Sequence, residues 1–200
     1  MDTSGDLKLN VTPMEYFHAE VGGAQSRLNI HLPEHVEFYV VNLLYEFIHP
    51  EVLNGTVGSA SVIEQPLVLL YKEALELPSN QQLKAFKRLG DVSLYIAGFF
   101  QDYFNRRTYD VDYYMGMGRS AYNAVSQMMR ERHNDQDFEA FYLALVKEFP
   151  KMVEVLAEVS DTRMESHPDP TTLYARWLKN PTGRLRRKLE RLGILSSKAA

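Results

Sequence analysis

The chain has 200 residues, enough for one domain with a sizeable core. Its hydrophobic content of 45% is that of an ordinary globular protein, and its formal charge of −4 is mild. It has no cysteine, which excludes disulfides, thiolate catalysis, zinc fingers and iron–sulfur clusters.

Residues 1–11 read as a flexible N-terminus. They have neither the basic start nor the apolar centre of a signal peptide. A first helix starts at Thr12, with Pro13 at its first position and Glu15 completing a capping box. Met14, Phe17 and Val21 follow at helical spacing, and Gly22-Gly23 is expected to end the helix. A second helix begins near Pro33, carries Val36, Val40, Leu43, Leu44 and Phe47 on one face, and closes at Pro50. Asn54 to Ser61 has the composition of a loop. A third helix spans Gln65 to Leu77. A fourth is capped by Ser79 and runs to about Arg106.

Asp110 caps a fifth helix, reaching about Arg132, and Asp135 caps a sixth that must kink or restart at Pro150. His167 to Pro170 is a turn. A short helix with the only tryptophan, Trp177, comes next, and Asn180 to Gly183 breaks the chain again. A last basic helix covers Arg184 to Leu192. No period-2 strand and no repeat is visible. The predicted fold is all-α, one domain over residues 1–200, as a bundle of about seven helices with a short basic C-terminal helix. The longest uncharged stretch of the fourth helix, Val92 to Gln101, is ten residues. A membrane span needs about 20. These features predict a cytoplasmic protein with no membrane partner.

Residues 88–122 are the candidate site. Asp91, Tyr95, Gly98 and Asp102 follow at steps of four, three and four, so they share one helix face. On the next helix Asp112, Arg119 and Tyr122 form a stripe beside Gly116 and Gly118. An interior glycine costs about 1 kcal/mol against alanine, so these glycines imply close backbone approach. A buried aspartate needs a partner. Arg119 is the expected partner of Asp91 or Asp102, with hydroxyls from Tyr95, Tyr113, Tyr114 and Tyr122 completing the network. Two readings stay open: a buried network that fixes helix register, or a ligand-lining site.

Leu89-Gly90-Asp91, Ser93-Leu94, Gly98-Phe99-Phe100, Tyr113-Tyr114, Met117-Gly118-Arg119 and Ala121-Tyr122 together resemble an uncharacterised family of bacterial proteins of about this length. The resemblance runs from Asn42-Leu43-Leu44 into the segment from Leu173 to Leu192. It implies a bacterial cytosolic origin and supplies no chemistry. Leu89-Gly90-Asp91 with Ser93 is also similar to the distal helix of heme oxygenases. The paired glycines of that pattern are replaced here by Leu94 and Tyr95. That likeness implies heme, with His18 as the axial ligand.

Glu15–His18 and Glu46–His49 each have the Glu-x-x-His spacing that carboxylate di-iron bundles use. Other roles compete. Glu15 belongs to the capping box, and His49 lies in a last helical turn, where the helix dipole favours it. His31 and His35 flank Pro33, while His133 and His167 sit in polar turns. No P-loop, dinucleotide fingerprint, nucleophile elbow or HExxH occurs. Ser93 and Ser120 have no base beside them in sequence.

From Arg176 to Ala200 there are eight Lys or Arg and one acid, Glu190, a net charge of +7 that leaves the rest of the chain at −11. Leu185, Leu189 and Leu192 form a stripe bordered by Arg184, Arg187, Lys188 and Arg191. The stripe implies docking on the acidic body, on an acidic protein or on a second copy in a homodimer. Nucleic acid is disfavoured by the acidic body and by the absence of interleaved aromatics. The leading expectation is a non-enzymatic regulatory or protein-interaction domain without cofactor. The alternative is an oxidative enzyme with heme or di-iron in the bundle.

Overall fold

The computed structural model describes residues 12–47, 66–99, 111–131, 136–163, 170–179, 181 and 183–195. The described residues form eight helices and no strand. These are α1 (Pro13–Leu28), α2 (Glu34–Phe47), α3 (Leu67–Glu76), α4 (Ser79–Phe99), α5 (Val111–Glu131), α6 (Gln136–Arg163), α7 (Pro170–Lys179) and α8 (Gly183–Arg191). The fold is an all-α helical bundle, as the sequence pattern predicts.

The centre is the trio α4, α5 and α6, which pack on one another. Phe86, Leu94, Tyr122, Val125, Phe149, Met152 and Leu156 fill the space between them and see no solvent. Burying one large apolar side chain is worth about 1.5–3 kcal/mol, so this seam dominates the core. α1 lies on α2 and α6, and α3 lies on α4 and α5. No helix among the described residues is long and apolar enough to cross a membrane.

The capping box forms as the sequence implies. The Thr12 hydroxyl accepts from the Glu15 N–H at 3.3 Å, and Glu15 Oε2 accepts from the Thr12 N–H at 2.8 Å. Gly22 and Gly23 do not end α1. The helix continues to Leu28 and stops where Asn29 adopts a left-handed conformation, φ 53°. There the Ile30 N–H reaches the Gln25 carbonyl at 3.0 Å and the Asn29 N–H the Ser26 carbonyl at 3.3 Å. That is a Schellman cap with asparagine in the usual glycine place. Phe17, Val21, Ala24 and Leu28 are buried on one stripe, and their packing outweighs the glycine propensities.

Pro150 does not restart α6 either; one helix spans Gln136–Arg163 with the proline inside it. An internal proline costs about 3 kcal/mol through its missing N–H and ring clash. Leu145, Phe149, Met152 and Val153 flank it in the core and offset that cost.

α7 and α8 pack together around a cluster of their own: buried Leu173, Leu185 and Leu189, with Trp177 and Leu195 against them. Leu192 was expected to join the buried stripe, yet it is 45% exposed. The helix ends first. Gly193 takes φ 72°, and the Gly193 and Ile194 N–H groups bond to the Glu190 and Leu189 carbonyls at 3.0 and 2.9 Å. This second Schellman cap turns the chain, and Leu195 packs in place of Leu192.

Candidate functional site

The α4 face predicted from residue spacing points inward: Asp91, Tyr95 and Gly98 are all buried. Asp91 is 2% exposed, so its carboxylate must be compensated. Its Oδ1 accepts hydrogen bonds from the Tyr39 hydroxyl of α2 and from the Tyr122 hydroxyl of α5, the latter at 2.8 Å. Its Oδ2 accepts from Lys87 Nζ at 2.7 Å, one turn back on α4. The ammonium also lies over the Tyr39 ring, 5.4 Å from its centroid. The Tyr122 ring meets Tyr39 and Tyr142 edge-on or tilted, each with centroids 6.0 Å apart. Three helices thus converge on one carboxylate, and Lys87, with its side chain 37% exposed, reaches solvent.

The electrostatics follow from burial. Burial, followed by the negative charge of Asp91, raises the Tyr39 and Tyr122 hydroxyls well above the ordinary tyrosine range. Burial also raises Tyr142. Burial alone would depress Lys87, but the charge and hydrogen bond of Asp91 prevail and its ammonium is held more firmly protonated. Every donor in the network is therefore charged or neutral-protonated at physiological pH, and each aims at an acceptor. The arrangement holds α2, α4 and α5 together, and its tyrosines and Lys87 keep their protons near neutrality.

Arg119 is not the partner of Asp91. It is exposed, as is Asp112. On α5 the inward row is Tyr114, Gly118, Ala121, Tyr122 and Val125, and Arg119 falls one residue outside it. Tyr113 is half-buried, and its hydroxyl accepts from the Val68 N–H of α3 at 3.0 Å. Tyr114 is buried against the Tyr113 ring, with centroids 5.2 Å apart. Tyr95 stacks between Phe47 and Phe99, at 4.4 and 5.2 Å. Asp102 lies outside the described residues. Of the predicted set, Asp91 and Tyr122 are joined by a hydrogen bond, and Tyr113 and Tyr114 by a ring contact.

The sequence reading missed two members of this network. Lys87 carried a signal, since a lysine and an aspartate four apart on a helix are neighbours. Tyr39 carried none: it is 52 residues from Asp91, and only the packing of α2 on α4 brings it there.

Gly90, Gly98 and Gly118 make close approaches, each to a side chain rather than to the backbone the sequence implied, and Gly116 meets nothing within 4 Å. A Cβ on Gly90 would lie 2.3 Å from Tyr122 Cε1. One on Gly118 would lie 2.3 Å from Phe149 Cζ, and one on Gly98 would lie 2.4 Å from Leu156 Cβ. Gly90 therefore admits the Tyr122 ring at the α4–α5 crossing, while Gly98 and Gly118 admit the Leu156 and Phe149 side chains of α6. His18, the heme-oxygenase-like ligand, is 68% exposed, with Nε2 3.4 Å from Glu37.

The metal candidates are not assembled among the described residues. Glu15 is engaged at its own helix N-terminus, Glu46 is exposed, and His49 lies outside those residues. No group of three His, Cys, Asp or Glu there has a metal-binding arrangement. His35 packs beside the Phe141 ring, with centroids 5.9 Å apart. An open groove of about 350 Å³ lies at the end of α1, lined by Gly22, Gln25, Ser26, Asn29, Ile30 and His31. Gln25, its one buried amide, already bonds Glu37 and the Leu32 N–H.

No family model, no curated protein and no solved structure matches this chain. Both resemblances therefore rest on the residues that carry them.

Proposed function

We propose that this chain is a non-enzymatic regulatory or interaction domain of the bacterial cytoplasm, which engages a protein partner through the α7–α8 hairpin. The carrying observation is the surface of that hairpin. Its own small core is complete with Leu173, Leu185 and Leu189, yet Tyr174, Leu178, Leu192 and Ile194 remain exposed at 39%, 62%, 45% and 38%. Exposed apolar side chains grouped on one element and rimmed by polar residues mark interaction sites. The segment from Arg176 to Ala200 carries +7, so an acidic partner surface fits it.

The closed α4–α5 crossing supports the same reading. The Asp91 oxygens are satisfied, and the glycine approaches are filled. The bacterial, cytoplasmic setting rests on the family resemblance.

Photo-crosslinking in the cells that make the protein tests the proposal. A photoreactive residue is placed at Leu178, at Ile194 or, as control, at Lys72, whose side chain is 73% exposed on α3. A discrete protein adduct at positions 178 and 194, absent at 72, is expected. Absence of any adduct at the two hairpin positions would overturn the reading.

A further inference from the structure

The bundle exposes a second apolar set, far from the hairpin. Phe38 on α2 is 62% exposed and Phe138 on α6 is 55% exposed. Both flank the contact between α2 and α6. The His35 and Phe141 rings are 5.9 Å apart across the α2–α6 contact; Phe38 lies one turn after His35, and Phe138 one turn before Phe141. The neighbouring charge is mainly acidic, with Arg130, 3.9 Å from Glu139, and Lys87, over the Tyr39 ring, as the described cations beside it. Glu34, four residues before Phe38 on the same stripe, is exposed, and so are Glu46 and Asp137. The hairpin presents the complement: aliphatic side chains in a basic segment.

A hairpin cannot reach this face on its own chain. Lys188 Nζ pairs with Asp161 Oδ2 at 2.6 Å, which holds α8 at the C-terminal end of α6. Phe138 sits at the N-terminal end of the same helix. The offset of 23 residues from Phe138 to Asp161 spans roughly 35 Å at the α-helical rise. Helices of ten and nine residues do not bridge that distance.

We infer that the partner is a second copy of this chain: the hairpin of each protomer seats Leu178 and Ile194 against Phe38 and Phe138 of the other. The inference rests on the reading of the hairpin as a docking element. Two such contacts related by a two-fold axis close on themselves and satisfy both exposed sets at once. Opposite charge on the two faces favours this pairing over either face meeting its own copy.

The test is the mass of the full-length protein by sedimentation and light scattering. The wild type is expected to be a dimer at about 0.05 M salt and to dissociate more readily at about 0.5 M, where charge is screened. Phe38→Asp and Leu178→Asp should each be monomeric with unchanged thermal melts, because both side chains are mostly exposed. Mixed in equal amounts, the two variants should dimerise again, since the mixed pair keeps one intact hairpin-to-face contact. Phe138→Asp and Ile194→Asp serve as a second pair if either first variant melts early.

A mixture that stays monomeric, or a loss of dimer in only one variant, overturns the inference. So does a monomeric wild type. If that monomer still gives an adduct with a different protein at position 178, the interaction reading stands and only the self-pairing falls. With no adduct either, both fall.

Discussion

The Tyr122 ring fills the space that a side chain on Gly90 would need, and the Tyr122 hydroxyl reaches Asp91 Oδ1 at 2.8 Å, one residue further along the same helix. One tyrosine thus uses both the absent side chain and the buried charge of α4. The pairing explains why Leu89-Gly90-Asp91 sits in the core: the glycine admits the ring and the aspartate anchors its tip.

The glycines should separate by position. Gly90→Ala and Gly118→Ala push a Cβ within 2.3 Å of rings already enclosed by core side chains. Each should cost about 1–3 kcal/mol or more by overpacking. Gly116→Ala meets nothing within 4 Å and should stabilise, by up to about 1 kcal/mol, through helix propensity. Urea unfolding of the three variants checks the order.

The aspartate should matter more than either hydroxyl. Tyr122→Phe removes one hydrogen bond to a charged acceptor, worth about 1.5–3 kcal/mol. Asp91→Ala strands two buried hydroxyls and a half-buried ammonium, and should cost about 3–5 kcal/mol. Arg119→Ala, at an exposed position, should change stability by no more than about 0.5 kcal/mol. An Arg119 effect equal to that of Asp91 would contradict the network described.

Helix existence was legible in the sequence because apolar spacing survives without tertiary information; Val36, Val40, Leu43, Leu44 and Phe47 all proved buried. Helix ends were less legible. Gly22-Gly23 looked like a stop, but a left-handed Asn29 did that work, and buried neighbours carried α6 through Pro150. For Asp91, burial was legible from its stripe, while its partners depended on which helices pack together. Tyr39 arrives from α2, and no local pattern announces that. The exposed sets at Phe38, Phe138, Leu178 and Ile194 were illegible for the same reason: each looks like ordinary core until the packing leaves it outside.

Alkaline pH should unfold the protein steeply. Tyr39, Tyr122 and Lys87 all hold their protons more tightly in the fold than in the unfolded chain. The unfolded tyrosines ionise near about pH 10 and the unfolded lysine slightly above, so the folded state binds more protons there. Stability from these groups is fully present below that range and is lost as pH rises beyond it. Circular dichroism between neutral pH and about pH 11 should show a plateau and then a sharp fall. Tyr39→Phe with Tyr122→Phe should flatten the fall.

The hairpin should respond locally. Leu189→Ala empties a fully buried position of its small core and should cost about 2–5 kcal/mol there, while Leu192→Ala, at an exposed position, should cost little. Hydrogen exchange is the right readout, because the α7–α8 cluster is separate from the main core. Protection should drop in α7 and α8 for Leu189→Ala and persist in α4 and α5.

Protein purified without added metal should contain far less than one iron, manganese or zinc per chain and show no Soret absorbance. Stoichiometric metal or bound heme would restore the oxidative-enzyme alternative.

The Asp91 network holds the fold together, and the hairpin surface is proposed to carry the function. The most direct measurement is the crosslinking yield at position 178 in two backgrounds, wild type and Tyr39→Phe, below the melting temperature of both. A discrete protein adduct of equal yield is expected in each. No adduct in wild type, or an adduct abolished in the folded Tyr39→Phe protein, would contradict it.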